Sequence, residues 1–272
     1  MTESEIVELL EFIEASEMEE LVDSMPARVV AEHDVRLERL GSAVALAVRR
    51  WDVPMLNRVV GIGLKGPVTE GVLDAVDHLY RAASVRYMVQ VAPGAKPDAL
   101  PEWLEARNLP RKDNWAKLIR GNQAPASIET DLRVERVGPE YAEAVARIVA
   151  AGFELPDPCA NLLTGLVGRA GWHHYLAFDE EVPVACGALF VRDGMGWLDY
   201  GATLESHRRR GAQGAIMARR VRDALDLGCR HLGAAAEEDR EDHPNPSYHN
   251  MLRTGFRLAF LRPNYIFFPS GE

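Results

Sequence analysis

One order of elements occurs twice in this chain. From Arg58 the sequence reads as strand RVVGIG, turn LKGP, helix VTEGVLDAVDHLYRAA, strand VRYMVQVAP, helix DALPEWLEARNL and strand NWAKLIR. From Trp197 it reads as strand WLDYGATL, turn ESHRRRGAQG, helix AIMARRVRDALDLG, strand CRHLGAAAEE, short helix PSYHNMLRTGF and strand RLAFLRPNYIFF. The spacing agrees as well, since Gly66 and Asn108 are 42 residues apart and Gly211 and Gly255 are 44 apart. A repeat of this kind points to two α/β units of like topology, expected over residues 1–125 and 126–272, the alternative being an unrelated helical and α/β cap before the second. The stretch GNQAPASIET, residues 121 to 130, is polar with Gly and Pro and reads as the linker.

Each copy has a lead-in. Ile6, Leu9, Leu10 and Ile13 recur at helical spacing among glutamates, and Ser24-Met25-Pro26 ends that first helix because the residue before proline leaves the helical region. A second helix is expected over about Val35 to Val48. Before the second copy, DLRVERVG reads as a strand and PEYAEAVARIVAAGF as a helix. Residues 173–204 then read as a three-strand meander with turns near Asp179-Glu180-Glu181 and Asp193-Gly194.

Composition narrows the function. The 272 residues carry a net charge of -10, which argues against a broad nucleic-acid surface, because duplex binding needs a continuous basic face. Neither a leader peptide nor a run of apolar residues long enough to span a bilayer stands out, and a cytoplasmic protein without membrane partners is expected. Cys159, Cys186 and Cys229 are scattered, which points to reduced, buried thiols rather than disulfides, a zinc site or a paired nucleophile. His173 and His174 are adjacent and project to opposite faces of a strand, and His243 and His249 lack a ligand-spaced partner, so no metal is expected.

Against that acidic background, RRRGAQGA at residues 208 to 215 stands out where a strand turns into a helix. Helix starts present unpaired N–H groups and a partial positive charge. Small residues at Gly211, Ala212, Gly214 and Ala215 allow close approach, and Arg208, Arg209 and Arg210 supply charge-assisted donors. The segment reads as an anion cradle, suited to a pyrophosphate. Downstream, Met217, Val221 and Leu225 form a buried stripe, and Gly228 stops the helix.

RRRGAQGA resembles the acyl-CoA pyrophosphate loop of the GCN5-related N-acetyltransferases, whose pattern is Arg or Gln, two residues, Gly, one residue, then Gly or Ala. Arg208 and Gly211 match, while Gln213 stands at the third fixed position. NPSYHNMLRTGF, residues 245 to 256, is similar to the family's short helix ending in Gly-Phe, and the two features together cover about residues 131 to 272. The resemblance implies a mixed α/β fold, with a mostly antiparallel sheet flanked by helices, intact in the second copy and degenerate in the first. It implies acetyl-CoA held by the backbone of Ala202, Thr203 and Leu204 along its pantetheine arm. The amides of Gly211 to Ala215 would take its pyrophosphate, and Asn245 and Ser247 would face the arm further on. The family's tyrosine acid falls at Met251 here, and Tyr248, one turn earlier, is the substitute.

Direct acyl transfer needs a neutral amine, and a carboxylate commonly removes the proton. Asp199, Glu237 and Glu238 are the candidates, and strand alternation turns only one of the last two to a cleft. The run EEDREDH favours a cationic acceptor. In the first copy GIGLKGPVTEGV lacks the arginine-led pattern, and Pro67 removes an N–H, so that copy is expected to keep the fold without the cofactor site, covering the active domain and walling its acceptor pocket. The expected activity is N-acyl transfer from acetyl-CoA to a small-molecule or peptide amine. The alternative is an acyl-CoA-binding or regulatory module without transfer chemistry, and a third reading is a site for another phosphorylated ligand.

Overall fold

The computed structural model describes residues 1–269. The chain divides into two compact units, one made of Met1–Val22, Pro26–Ala116 and the segment from Ala259, the other of Asp23–Met25 and Lys117–Leu258. The division falls after Ala116, and the segment from Ala259 belongs to the first unit.

The first unit opens with α1 (Glu3–Ser24) and α2 (Ala27–His33), separated at Pro26 as expected. Residues 35 to 48 are not a helix. They form a hairpin of β1 (Val35–Leu40) and β2 (Ala43–Val48), paired from Val35↔Val48 to Leu40↔Ala43 around Gly41-Ser42. Gly41 takes φ 67°, the left-handed conformation that a two-residue hairpin turn requires and that glycine adopts without strain. Then follow β3 (Arg58–Val60), α3 (Glu70–Arg81), β4 (Tyr87–Gln90), α4 (Leu100–Ala106) and the start of β5 (Arg111–Arg120). The last strand, β11 (Arg257–Phe267), lies beside β4 with Asn264↔Gln90 and Phe267↔Tyr87 in antiparallel register. Strand order in this unit is β1-β2-β3-β4-β11-β5, with β3 and β4 parallel. Leu73, Val76, Leu79 and Tyr80 of α3 pack into a core with Val59, Tyr87, Val89, Leu104, Tyr265 and Phe267. Burial of Tyr265 and Phe267 there is what commits β11 to this unit.

The second unit takes the end of β5, then β6 (Arg133–Val137), α5 (Ala142–Gly152), β7 (Trp172–Asp179), β8 (Val182–Arg192), β9 (Met195–Thr203), α6 (Ala212–Asp226), β10 (His231–Glu237) and α7 (Pro246–Arg253). Its strand order is β5-β10-β9-β8-β7-β6. The β6 to β9 strands pair antiparallel in the expected meander, and β9 and β10 pair parallel. On α6, Met217 and Val221 of the expected stripe are buried with Ala224, while Leu225 is half-buried, and Gly228 ends the turn at φ 83°. Among the described residues no helix is long and apolar enough to cross a membrane.

Candidate active site

The parallel register of β9 and β10 runs from His231↔Met195 to Ala234↔Leu198 and stops there. Beyond it β9 stays with β8, through Ala188↔Asp199, Cys186↔Ala202 and Ala185↔Thr203, and so turns away from Ala235 to Glu237 of β10. The cause is a bulge, since Tyr200 and Gly201 of β9 stand opposite the single Gly187 of β8, and Tyr200 takes φ 52°. Gly187 is also where the buried Arg220 of α6 arrives, and a Cβ there would lie 2.9 Å from its Cζ. The Arg220 Nη1 donates to the carbonyls of Ala188 (2.9 Å) and Asp199 (3.0 Å). Burial lowers its pKa to about 10, so it remains charged at neutral pH.

Asp199 stands where the two strands part. Its Oδ2 accepts from Trp197 Nε1 at 3.0 Å and its Oδ1 from the Tyr200 N–H at 2.6 Å, which fixes the carboxylate on the bulge. The other carboxylate candidates lie at the far end of β10. Glu237 is exposed, with Oε2 3.8 Å from His243 Nε2, while Glu238 is half-buried.

The loop after β9 is built from both sides. Thr203 Oγ1 donates to Gln213 Oε1 at 3.3 Å, and Gly201 makes room for that side chain, because a Cβ there would lie 2.9 Å from its Nε2. Gln213 at the third fixed position of the loop is thereby accommodated along β9. Arg209 and Gly211 take φ 65° and 80°, and no side chain caps the start of α6. Gly211 is required twice, by its left-handed backbone and because a Cβ would meet Glu129 O at 2.6 Å. Gly214 packs against Ile128, whose Cγ2 would be 3.0 Å from a Cβ. Ala202, Ala212 and Ala215 are buried, while Thr203 and Leu204 are half-buried.

The three arginines have different partners. Arg210 binds Asp179 and Asp131, and those hydrogen bonds hold both carboxyls below the ordinary aspartate range. Arg208 and Arg209 are exposed, with no ion pair among the described residues, and remain available to an anion.

On α7, Asn245, expected to face the arm, is engaged within the chain. Its Oδ1 accepts from the N–H groups of Ser247 (2.9 Å) and Tyr248 (3.2 Å), and its Nδ2 donates to Glu237 O at 2.9 Å. It is an N-cap that ties the helix to the end of β10, with both ends of the amide engaged. Ser247 and Tyr248 are half-buried, and Met251, at the family's tyrosine position, is buried. The Tyr248 hydroxyl has no hydrogen bond among the described residues, and its ring lies edge-on to His249 at 5.9 Å. Sequence reasoning missed that His249 Nε2 lies 3.0 Å from Asp239 Oδ1, and it missed Arg220. The signal for Arg220 was present: a charged residue beside the apolar stripe of α6, with glycines on the strands beneath.

The remaining candidates stay apart from this cleft chemistry. Cys159, Cys186 and Cys229 are buried free thiols, and burial pushes Cys159 up to about 11 and Cys186 up to about 12. His174 is 2% exposed, and burial drives its pKa down to about 3. Among the described residues no three metal-ligating side chains converge.

No family model and no curated protein matches the chain. Solved structures do. The chain is similar to a GCN5-related N-acetyltransferase from Kribbella flavida, at 18% identity and a TM-score of 0.60, over 91% of this chain and 97% of that one. One from Sphaerobacter thermophilus gives 14% and 0.60 over 83% and 76% of the two chains. A tandem protein of the same family, from the clavulanic acid biosynthesis pathway, gives 14% and 0.54 over 79% and 76%. At these identities the likeness is one of fold. The protein has the fold of the GCN5-related N-acetyltransferases, a mixed and mostly antiparallel sheet flanked by helices.

Proposed function

We propose that the second unit is an acyl-CoA-dependent N-acetyltransferase and that the chain is a tandem protein whose first unit has no cofactor site. The observation that carries this is the parting of β9 and β10 at the Tyr200 bulge, next to a glycine-led, uncapped helix start. The residues fit acetyl-CoA, which supplies an acyl group already activated as a thioester. The amides of Gly211 to Gly214 suit the pyrophosphate, since the Ala215 N–H is already bonded to Gly211 O, and Arg208 and Arg209 add charge, while the backbone of Ala202 and Thr203 offers an edge to the arm, the Leu204 N–H being taken up by Val184 O.

Asp199 takes the proton that an attacking ammonium must shed before its nitrogen can bond to the acyl carbon. The hydrogen bonds from Trp197 and Tyr200 keep it in one orientation, and its place at the parting of the strands makes it the better base than Glu237 or Glu238. Tyr248 is the donor to the departing sulfur. The acceptor is a small-molecule or peptide amine, with the acidic run 237–243 favouring a cationic one. The second reading, a non-catalytic acyl-CoA-binding module, draws on the buried Met251 where the family's tyrosine stands.

The test is the melting temperature with and without acetyl-CoA, for the natural protein and for Gly211→Glu. At about 100 times the dissociation constant the ligand should stabilise the natural protein by ~2.7 kcal/mol, a shift of a few degrees. The folded variant should not shift. No shift in the natural protein at millimolar ligand would rule out the cofactor site. A shift without acetyl transfer across a broad amine panel would favour the module.

A further inference from the structure

We infer that Thr130, Asp131 and Asp179 are positioning residues of the anion loop, gripping Arg210 so that residues 208–211 hold the bent path that leaves the start of α6 uncapped. This rests on the reading of that loop as the acyl-CoA site. The linker was expected only to join two units, yet its last residues pack directly on the loop. Thr130 Oγ1 donates to Arg210 O at 2.7 Å and accepts from the Leu132 N–H at 3.2 Å. The Arg210 guanidinium is forked between two carboxylates: its Nη1 and Nη2 reach Asp179 at 2.7 and 3.1 Å, and its Nη2 and Nε reach Asp131 at 2.5 and 3.3 Å. The other end of the loop meets the same aspartate, since His207 Nε2 lies 3.2 Å from Asp179 Oδ2.

Between these anchors Arg209 sits at φ 65°, a conformation that costs a non-glycine residue about 1 kcal/mol or more and persists only where neighbours enforce it. Arg210 therefore acts inward, on the chain's own carboxylates, and its charge is matched there rather than offered to a phosphate. Any ligand that hydrogen-bonds to the loop amides thus depends on the linker residues behind them.

The experiment is calorimetric titration with coenzyme A, backed by steady-state kinetics, on the natural protein and on Thr130→Val, Thr130→Ser, Asp131→Asn and Asp179→Asn. Loss of one or two such hydrogen bonds should weaken binding about 5- to 20-fold in Thr130→Val and Asp179→Asn. The KM for acetyl-CoA should rise by more than kcat falls, and Thr130→Ser, which keeps the hydroxyl, should bind as the natural protein does. If Asp179→Asn fails to fold, the contrast between valine and serine at position 130 carries the test. A lower melting temperature with an unchanged dissociation constant would make these residues merely structural and overturn the inference alone. A natural protein that takes up no coenzyme A would overturn the site, and the inference with it.

Discussion

Each unit contains a pair of parallel strands followed by a loop and a helix, and the two pairs are treated in opposite ways. In the second unit β9 and β10 part after Leu198 and Ala234, and their ends are left to separate partners. In the first unit, β3 and β4 are in parallel register at Arg58↔Met88 and Val59↔Val89, and the space past their ends is filled by the chain itself. Glu11 of α1 accepts from the Gly61 N–H at 3.2 Å, and Arg262 donates to Glu11 (2.7 Å), Glu14 (2.5 Å) and Gln90 (2.9 Å). The loops are stitched together too, with Lys96 N–H donating to Gly63 O and Val68 N–H to Lys96 O. A Cβ on Gly63 would lie 2.7 Å from Lys96 O. One parallel pair therefore ends against a charged, hydrogen-bonded core and the other ends in diverging strands. What decides between them is a handful of residues, not the order of elements.

The largest effect expected is on chemistry in the open pair. Asp199→Asn keeps the shape and the possibility of hydrogen bonding but cannot take a proton, so kcat should fall by about 10²- to 10⁴-fold. The dissociation constant for acetyl-CoA should stay within about twofold, because Asp199 is not placed on the cofactor. Initial rates of product formation, with binding measured separately, decide it. An unchanged kcat would move the base to the far end of β10 and remove the functional meaning of the parting at Asp199.

The sealed pair offers the next test. Arg262→Met removes a fully buried cation and leaves Glu11 and Glu14 facing each other without it, which should cost about 3–5 kcal/mol of stability. Urea denaturation would measure the loss. If the first unit is only structural, acetyl-CoA should still bind the folded variant as it binds the natural protein. Weaker binding with little loss of stability would mean that the sealed pair serves the ligand after all.

The shared order of elements was legible because it follows from local signals. The glycine-led turn, the meander and its two turns, and the stop at Gly228 all fall where the sequence places them. Residues 35 to 48 were misread because AVALAV is a continuous apolar run, which periodicity cannot assign to helix or strand, and the deciding signal was the Gly41-Ser42 pair within it. Asn245 followed by Pro246 is a capping signature that a search for cofactor ligands passed over. The partners of Arg210 could not be read at all, since Asp131 and Asp179 lie 79 and 31 residues away in sequence. The place of the last segment in the first unit is hidden for the same reason, because it is decided by which core buries Tyr265 and Phe267.

Acid should separate the two units by a smaller, graded effect. His174 on β7 is buried beside Trp172, whose ring stacks on it at 5.7 Å, and its Nδ1 has no hydrogen-bond partner among the described residues. Burial, assisted by the neighbouring His173, holds its pKa at about 3, against an ordinary value of 6.5. The unfolded chain therefore binds a proton below 6.5 that the native chain refuses. The stability this group allows is complete above pH 6.5 and is lost as pH falls towards 3, at up to ~1.4 kcal/mol per pH unit. Amide exchange should show the strands of the second unit losing protection between pH 6 and 4.5, and His174→Phe, which cannot titrate, should flatten that slope. If the slope persists in the phenylalanine variant, the acid sensitivity belongs to other groups. If protection is lost equally in the first unit, its ion-paired core is no more acid-resistant than the second unit, and the contrast between the two does not extend to stability.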